Sequence, residues 1–461
     1  METTEGPLSK TEIRQVMVGL CLAMLLSALD QTIVVTALPT IGAQFGDFER
    51  LPWIVTAYLV AATAVTPLYG KLADIHGRRI MLLIGIAVFI AGSIACALAP
   101  SLTSLAGARV LQGLGGGGLI SLAQTIVADM VSPRERGRYQ IYFAAVFTTS
   151  SIAGPTLGGL FAQYLHWSLI FWINLPLGLA AFWLTKDGLA RLQRRRQPQP
   201  LDLLGALLLV LASGLLVLAL GAGTKTGLLL ASAAFWALFA WRTRITPAPF
   251  IPVAVLANGV ARDAALAGAF GLGAFIGLSV VMPIYFEGVL GLSASQSGLA
   301  LIPMMIATVA GATASGRAMA HLTHYKRPAL VGLALACAAA LLLAFRIGDL
   351  SLMALNLLLT VVSLGVGAML PVSTVCVQNA VPARDLGAAT AVMQFFRQLG
   401  CALIVAMLGA LVIGGGGAQD ALVASFRGVF CAAAACVALS FAFLARMEEK
   451  PLRGGAGHER A

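Results

Sequence analysis

Two stretches of this chain carry residue types that a plain membrane anchor has no use for. RVLQGLGGGG (109–118) sets a lone arginine in one hydrophobic run, and GPTLGG (154–159) sets a Gly-Pro pair in the next. An arginine at membrane depth costs about 3 kcal/mol on insertion scales unless it faces a polar interior. A mid-helix proline removes a backbone hydrogen bond that neighbouring helices or water must replace. A third such residue is Asp30, midway along its apolar run. Burial disfavours the ionised form of an unpaired carboxylate there, so it can take up and release protons. Arg109, in the RVLQG stretch, could hold a nearby carboxylate ionised or help move a proton, and Gln112 of the same stretch could line a cavity and face substrate. Arg397, in MQFFRQLG, is a second arginine in an apolar run, suited to lining a cavity or pairing across it. Glu287 follows MPIYF at an outer helix end, where it could draw cations to an external mouth. Each residue also has a plainer reading. Asp30 could be a paired strut, Arg109 could snorkel to the outer headgroups, and Glu287 could be an interfacial carboxylate in water.

The elements that must position these residues are long and apolar. Of 461 residues, 59% are hydrophobic and 11% are charged, against about 25% charged in soluble domains. A helix needs roughly 20 apolar residues to span a bilayer. Fourteen runs fit, at about 15–37, 52–73, 79–98, 101–128, 139–163, 167–186, 203–222, 226–241, 264–286, 295–318, 328–346, 350–376, 386–413 and 421–445. With the N-terminus placed in the cytoplasm, 24 of the 30 Lys and Arg fall on the inner side. Three fall outside (Arg50, Lys225, Arg346) and three within spans (Arg109, Arg397, Arg427). This bias toward positive inner loops orients the chain, with both termini cytoplasmic. The net charge of +11 is therefore a topology signal and does not point to nucleic acid. The first apolar run is full length and lacks a signal-peptide cleavage site, so it reads as an uncleaved span. The seven cysteines sit in apolar runs without metal-ligand spacing, and no residue set calls for a metal or cofactor.

The chain also repeats itself. VSPRERG (131–137) recurs as VPARDLG (381–387), and Gly115 and Gly117 match Gly365 and Gly367 at the same offset. Parallel repeats of six helices are a transporter architecture. The expected division is a six-helix bundle at 1–187, a cytoplasmic linker at 188–202, two inserted helices with an inner loop at 203–262, and a second six-helix bundle at 263–461. The glycine run 414–417 reads as an outer turn, and the tail after Arg446 as a polar, Gly-rich segment.

Four motifs together resemble the major facilitator superfamily, and more closely its fourteen-span drug:proton antiporter family, over nearly the whole chain. They are LDQTIVVTALP (29–39), GKLADIHGRR (70–79), RVLQG (109–113) and GPTLGG (154–159). The resemblance implies an all-α membrane fold, two six-helix bundles plus two inserted helices. It implies that Asp30 takes part in proton or cationic-drug coupling. It also implies a cytoplasmic charge latch of Gly70, Asp74, Arg78 and Asp129 with Arg136 or Arg138, and an antiporter motif of Gly154, Pro155, Gly158 and Gly159. The chain departs from the pattern at Thr36, where many relatives carry Asn. The C-terminal repeat departs further. It lacks an acid in SGRAMAHLTHYKR (315–327), has Leu359 opposite Arg109, and has Ile404 and Val405 opposite the Gly-Pro pair.

These observations lead to an expected secondary exporter in a bacterial cytoplasmic membrane, exchanging protons for amphipathic or cationic drugs. The drug would sit in a central cavity between spans 1–6 and 9–14. A dedicated exporter of one metabolite, siderophore or antibiotic on the same scaffold is the open alternative. In a Gram-negative host, a periplasmic adaptor and an outer-membrane channel would be partners. An intramembrane enzyme would need clustered His, Cys or carboxylates at matched depth, which the sequence lacks. The sequence has no phosphate-binding loop for ATP drive, so the energy source is expected to be an ion gradient.

Overall fold

The computed structural model describes residues 10–46, 51–189, 202–221, 226–247, 249–251, 253–322, 324–382, 385–413, 419–449 and 451. Nearly all of the expected linker lies outside these residues. So do the glycine run 414–417, Arg50, Lys225, Arg384 and most of the tail beyond Arg446. The described residues form helices and no strands. In hydrocarbon a helix satisfies every backbone group within its own segment, and the long apolar runs leave few other options.

The first helices are α1 (Lys10–Phe45), α2 (Leu51–His76), α3 (Arg78–Ala97), α4 (Leu102–Gly116), α5 (Leu119–Met130) and α6 (Pro133–Tyr164). Next come α7 (Leu169–Trp172), α8 (Asn174–Gly188), α9 (Leu203–Gly221), α10 (Thr226–Ile245), α11 (Val253–Ala257) and α12 (Gly259–Gly288). The last are α13 (Ala294–Ala300), α14 (Ile302–His321), α15 (Arg327–Arg346), α16 (Leu352–Ala380), α17 (Leu386–Ile413) and α18 (Gln419–Arg446). All fourteen apolar runs are helical. Three of them are broken in two, at Gly117–Gly118, Ile173 and Leu301. Among the described residues, 12 helices are long and apolar enough, by length and composition, to cross a membrane. The expected fourteen is therefore met at twelve by that measure. Two runs fall short of it. α9 offers a shorter apolar stretch, Leu203–Ala219. α6 has 32 residues but carries the polar run TTSS and the glycines of GPTLGG.

Packing divides the chain into two units. The first comprises 1–132, 149–255 and 381–395, and the second 133–148, 256–380 and 396–461. In the first unit α4 lies against both α2 and α3, α1 against α5 and α8, and α9 against α2 and α10. In the second, α16 lies against α12, α14 and α15, while α18 lies against α12 and α15. Glycines set the tight spacings. A Cβ on Gly115 would strike the Phe89 backbone, and one on Gly117 would strike the Ala62 backbone. In the second unit Gly365 meets the Gly332 backbone and Gly367 the Thr308 backbone in the same way. The repeat glycines therefore do the same job in each unit, letting helix backbones approach.

Candidate functional site

Asp30 lies near the middle of α1, fully buried, and four other helices bring polar groups around it. From α4, Arg109 and Gln112 stand one turn apart on one face. Arg109 Nη1 donates to Asp30 Oδ2 at 2.5 Å and to Gln112 Oε1 at 2.6 Å. Gln112 Nε2 donates to Asp30 Oδ1 at 2.8 Å and to Ser93 Oγ of α3 at 2.7 Å. Cys96, one turn beyond Ser93, places its thiol 3.5 Å from Gln112 Oε1. Arg109 Nε donates to the Ile54 carbonyl of α2 at 3.0 Å, and its guanidinium lies 4.3 Å from the Tyr58 ring centroid. Tyr58 in turn shares a 3.0 Å hydrogen bond with Ser27 of α1. Asn174, the first residue of α8, donates to Ser93 Oγ at 3.2 Å and lies 3.5 Å from Asp30 Oδ1.

This network forms because small residues surround it. A Cβ on Gly116 would lie 2.5 Å from the Tyr58 hydroxyl, and one on Gly92 would lie 2.5 Å from the Gln112 nitrogen. With those glycines, α2 and α3 press onto the face of α4 that carries Arg109. The snorkelling reading of Arg109 does not describe this structure, because the side chain is 1% exposed and engaged inward. Two opposite charges in a dry interior persist only when paired and hydrogen-bonded, as these are. Chemically, the site holds one negative charge against one positive charge.

The GPTLGG motif packs on the same helix. A Cβ on Gly154 would strike Thr32, and one on Gly158 would strike the Ile33 carbonyl and Thr36, all on α1. Thr32 Oγ1 donates to the Ser150 carbonyl at 2.8 Å, tying the two helices just beyond Asp30. Pro155 is exposed, and a Cβ on Gly159 would meet nothing within 4 Å. Of the four motif residues, then, Gly154 and Gly158 make the close approach.

At the other end of α2, Asp74 lies 2.8 Å from Arg78 Nη1, and Arg78 Nε lies 2.5 Å from Asp129 Oδ2. Asp74 also accepts from the backbone N–H groups of Gly387 at 3.2 Å and Ala388 at 2.8 Å, the start of α17. A carboxylate there complements the positive end of the helix dipole. Gly70 makes room for this, since a Cβ on it would strike Ala391 and lie 2.7 Å from the Gly387 carbonyl. Arg136 is buried and Arg138 exposed in the first turns of α6, within the second unit. Glu287 is exposed at the end of α12. Arg397 of α17 is buried, with Nη2 donating to Ser373 Oγ at 3.2 Å and Thr374 Oγ1 at 3.4 Å. Among the described residues, no group of three or more His, Cys, Asp or Glu is placed to hold a metal ion.

Sequence reasoning passed over Ser93, Tyr58 and Asn174. Asn174 had a signal, because a carboxamide in the apolar run LIFWINLPLG must find partners if it faces the interior. Ser93 had none, since serines are ordinary in apolar helices.

The family model of the Major Facilitator Superfamily matches residues 20–405. An uncharacterised MFS-type transporter of Mycobacterium tuberculosis is 35% identical over 419 residues, 88% of this chain and 61% of that protein's length. The multidrug transporter protein MdtP of Bacillus subtilis is 32% identical over 419 residues, 88% of this chain and 76% of MdtP. The fold is similar to that of the human organic anion transporter MFSD10, with a TM-score of 0.71 at 19% identity, covering 95% of this chain and 100% of that one.

Proposed function

The chain belongs to the major facilitator superfamily, and from that premise we propose that it is a fourteen-span secondary exporter coupling proton entry to efflux of amphipathic, cationic drugs. Membership makes it a multi-pass membrane transporter and not an enzyme. Relatives named for multidrug transport and efflux support the direction of travel. Helices α6 and α9, together with the twelve spans that meet both length and apolarity, support the count of fourteen.

The observation that carries the reading is the buried Asp30–Arg109 pair with Gln112 bridging it. Protonation of Asp30 removes the charge that Arg109 faces. The guanidinium then keeps the Gln112 and Ile54 oxygens but loses its counterion, which is costly at full burial. A conformation that gives Arg109 other partners or water becomes preferred. A shift of about 1.4 kcal/mol already changes a two-state population tenfold. The contact of Gly154 and Gly158 with α1 supports a role for that helix in the change. Asp74, Arg78 and Asp129 act as a latch on the inner loop, holding the start of α17 through Gly387 and Ala388.

The host membrane is bacterial and cytoplasmic in this reading, with both termini inside. The residue ranges 1–187, 203–262 and 263–461 act as the N-terminal bundle, inserted pair and C-terminal bundle. In a Gram-negative host an adaptor and outer-membrane channel complete the route. The deciding experiment imposes a pH gradient on proteoliposomes and follows several cationic dyes. Dye movement that ignores the gradient would sink proton coupling, and transport of one compound from a broad panel would favour a dedicated exporter.

A further inference from the structure

Asp30 is surrounded by donors. Among the described residues, Arg109 and Gln112 donate to it and the Asn174 amide nitrogen faces it at 3.5 Å. That arrangement suits an ionised carboxylate, which only accepts. A protonated Asp30 carries an O–H and needs an acceptor. Gln112 Oε1 is already taken by Arg109 and the Cys96 thiol. Ser93 Oγ already accepts from Gln112 and Asn174. Among the described residues one acceptor remains at the site. Asn174 is 0% exposed, and its Oδ1 is buried without a hydrogen-bond partner among the described residues. That oxygen belongs to the same planar carboxamide whose nitrogen now faces Asp30 and Ser93.

We propose that Asn174 is a positioning residue that follows the protonation of Asp30. It offers Nδ2 to the carboxylate, then turns about Cβ–Cγ to offer Oδ1 to the acid. The proton arrives from the aqueous phase and forms the O–H bond on Asp30 Oδ1. After the turn, that O–H donates to Asn174 Oδ1. The Ser93 hydroxyl changes from acceptor to donor toward the same oxygen. Each orientation leaves one amide atom unsatisfied, Oδ1 with the carboxylate and Nδ2 with the acid. The charge on Asp30 decides between the two orientations. A buried polar atom left without a partner calls for an explanation, and a functional role is one.

The titratable and charged groups facing this pair are Tyr58 on α2, Cys96 on α3 and Arg109 on α4. On α5 the acid is Asp129, held at the far end by Arg78. On α8, Lys186 lies in the last turn, away from Asn174. The α7 sequence, LIFW, has no titratable residue. None of these groups offers the protonated acid a free carbonyl or carboxylate oxygen, which leaves the role to Asn174.

This inference rests on Asp30 as the protonating group, so the test separates the two. Infrared difference spectra of the full chain in lipid are recorded across pH, with the Asp30 carboxyl band identified by its loss in Asp30→Asn. Labelled asparagine, with Asn174→Ser for assignment, reports the Asn174 carboxamide. The expected result is that the carboxamide band changes together with the Asp30 band in the wild type. Asn174→Leu should shift the protonated Asp30 carboxyl band to higher frequency, because the acid's O–H loses its acceptor. Asn174→Ser keeps a hydroxyl acceptor and should move it less. A carboxamide band that stays flat while Asp30 titrates overturns the proposal, and this arm uses the wild type, so it stands even if Asn174→Leu fails to insert. Slower transport in Asn174→Leu at every pH, with the protonated Asp30 band unmoved, shows a merely structural asparagine and overturns it too. If Asp30→Asn keeps full drug-driven proton release, the coupling role of Asp30 falls, while the spectra still decide Asn174.

Discussion

Arg109 Nη1 lies 2.5 Å from Asp30 Oδ2, and neither side chain is more than 1% exposed. A buried pair of this kind is strongly interdependent, because removing one partner leaves the other charge uncompensated, at a cost of about 3–5 kcal/mol. The relationship therefore makes predictions about stability as well as transport.

Asp30→Asn is expected to insert but to lose drug-driven proton release and to melt at lower temperature. Adding Arg109→Gln should recover most of the lost stability without restoring coupling, since the stranded charge is then gone. Thermal unfolding in detergent and proton release from vesicles are measured on the same preparations. A double variant no more stable than Asp30→Asn would show that the pair is not energetically coupled.

Arg109→Lys is expected to recover only part of the function that Arg109→Ala loses. The guanidinium reaches Asp30, Gln112 and the Ile54 carbonyl from two of its nitrogens. An ammonium on a flexible stem cannot reproduce that fork. Coupled efflux at equal membrane abundance is the measurement, and normal transport by Arg109→Ala would remove the arginine from the mechanism.

Gly158→Leu should slow turnover or open a proton leak while drug binding survives. Its first side-chain atom would fall on the Ile33 carbonyl and Thr36, well inside the 3.0 Å that real Cβ contacts keep. Overpacking of this kind costs about 1–3 kcal/mol and falls mainly on whichever state closes that interface. Gly159→Ala is the paired control, because a Cβ there meets nothing within 4 Å. Dye binding by fluorescence, efflux and passive proton entry are read together. Equal effects at both glycines would show that the α1 contact does not limit the cycle.

Asp74→Asn is expected to lower the transport rate by about tenfold with little loss of dye binding. The amide cannot hold the Arg78 charge, and its nitrogen would face the N–H groups of Gly387 and Ala388 as a donor facing donors. Rescue by Asp74→Glu would depend on reach, so the readout is the ratio of rate to binding. An unchanged rate in Asp74→Asn would dismiss the latch.

Much of this molecule was decided by the chain alone. A 20-residue apolar run in lipid has to be a helix, so the positions of the fourteen runs followed from composition, and the proposed orientation rests on the placement of Lys and Arg. Asp30 and Arg109 were legible too, because a charge at that depth is expensive unless it faces a polar interior. What the chain alone could not say is which groups meet. Asp30 and Arg109 are 79 residues apart, and Asn174 is 144 residues from Asp30. Such pairings depend on how each helix is rotated and on which faces the glycines allow to touch, and no local pattern encodes that. Gly158 and Gly159 make the point in one residue step. They are the same residue type in the same motif, yet a rotation of about 100° between neighbours on a helix sets one against α1 and leaves the other facing open space. Ser93 and Asn174 gained their meaning only there, because an uncharged polar side chain costs little on its own and declares its role only through its partners.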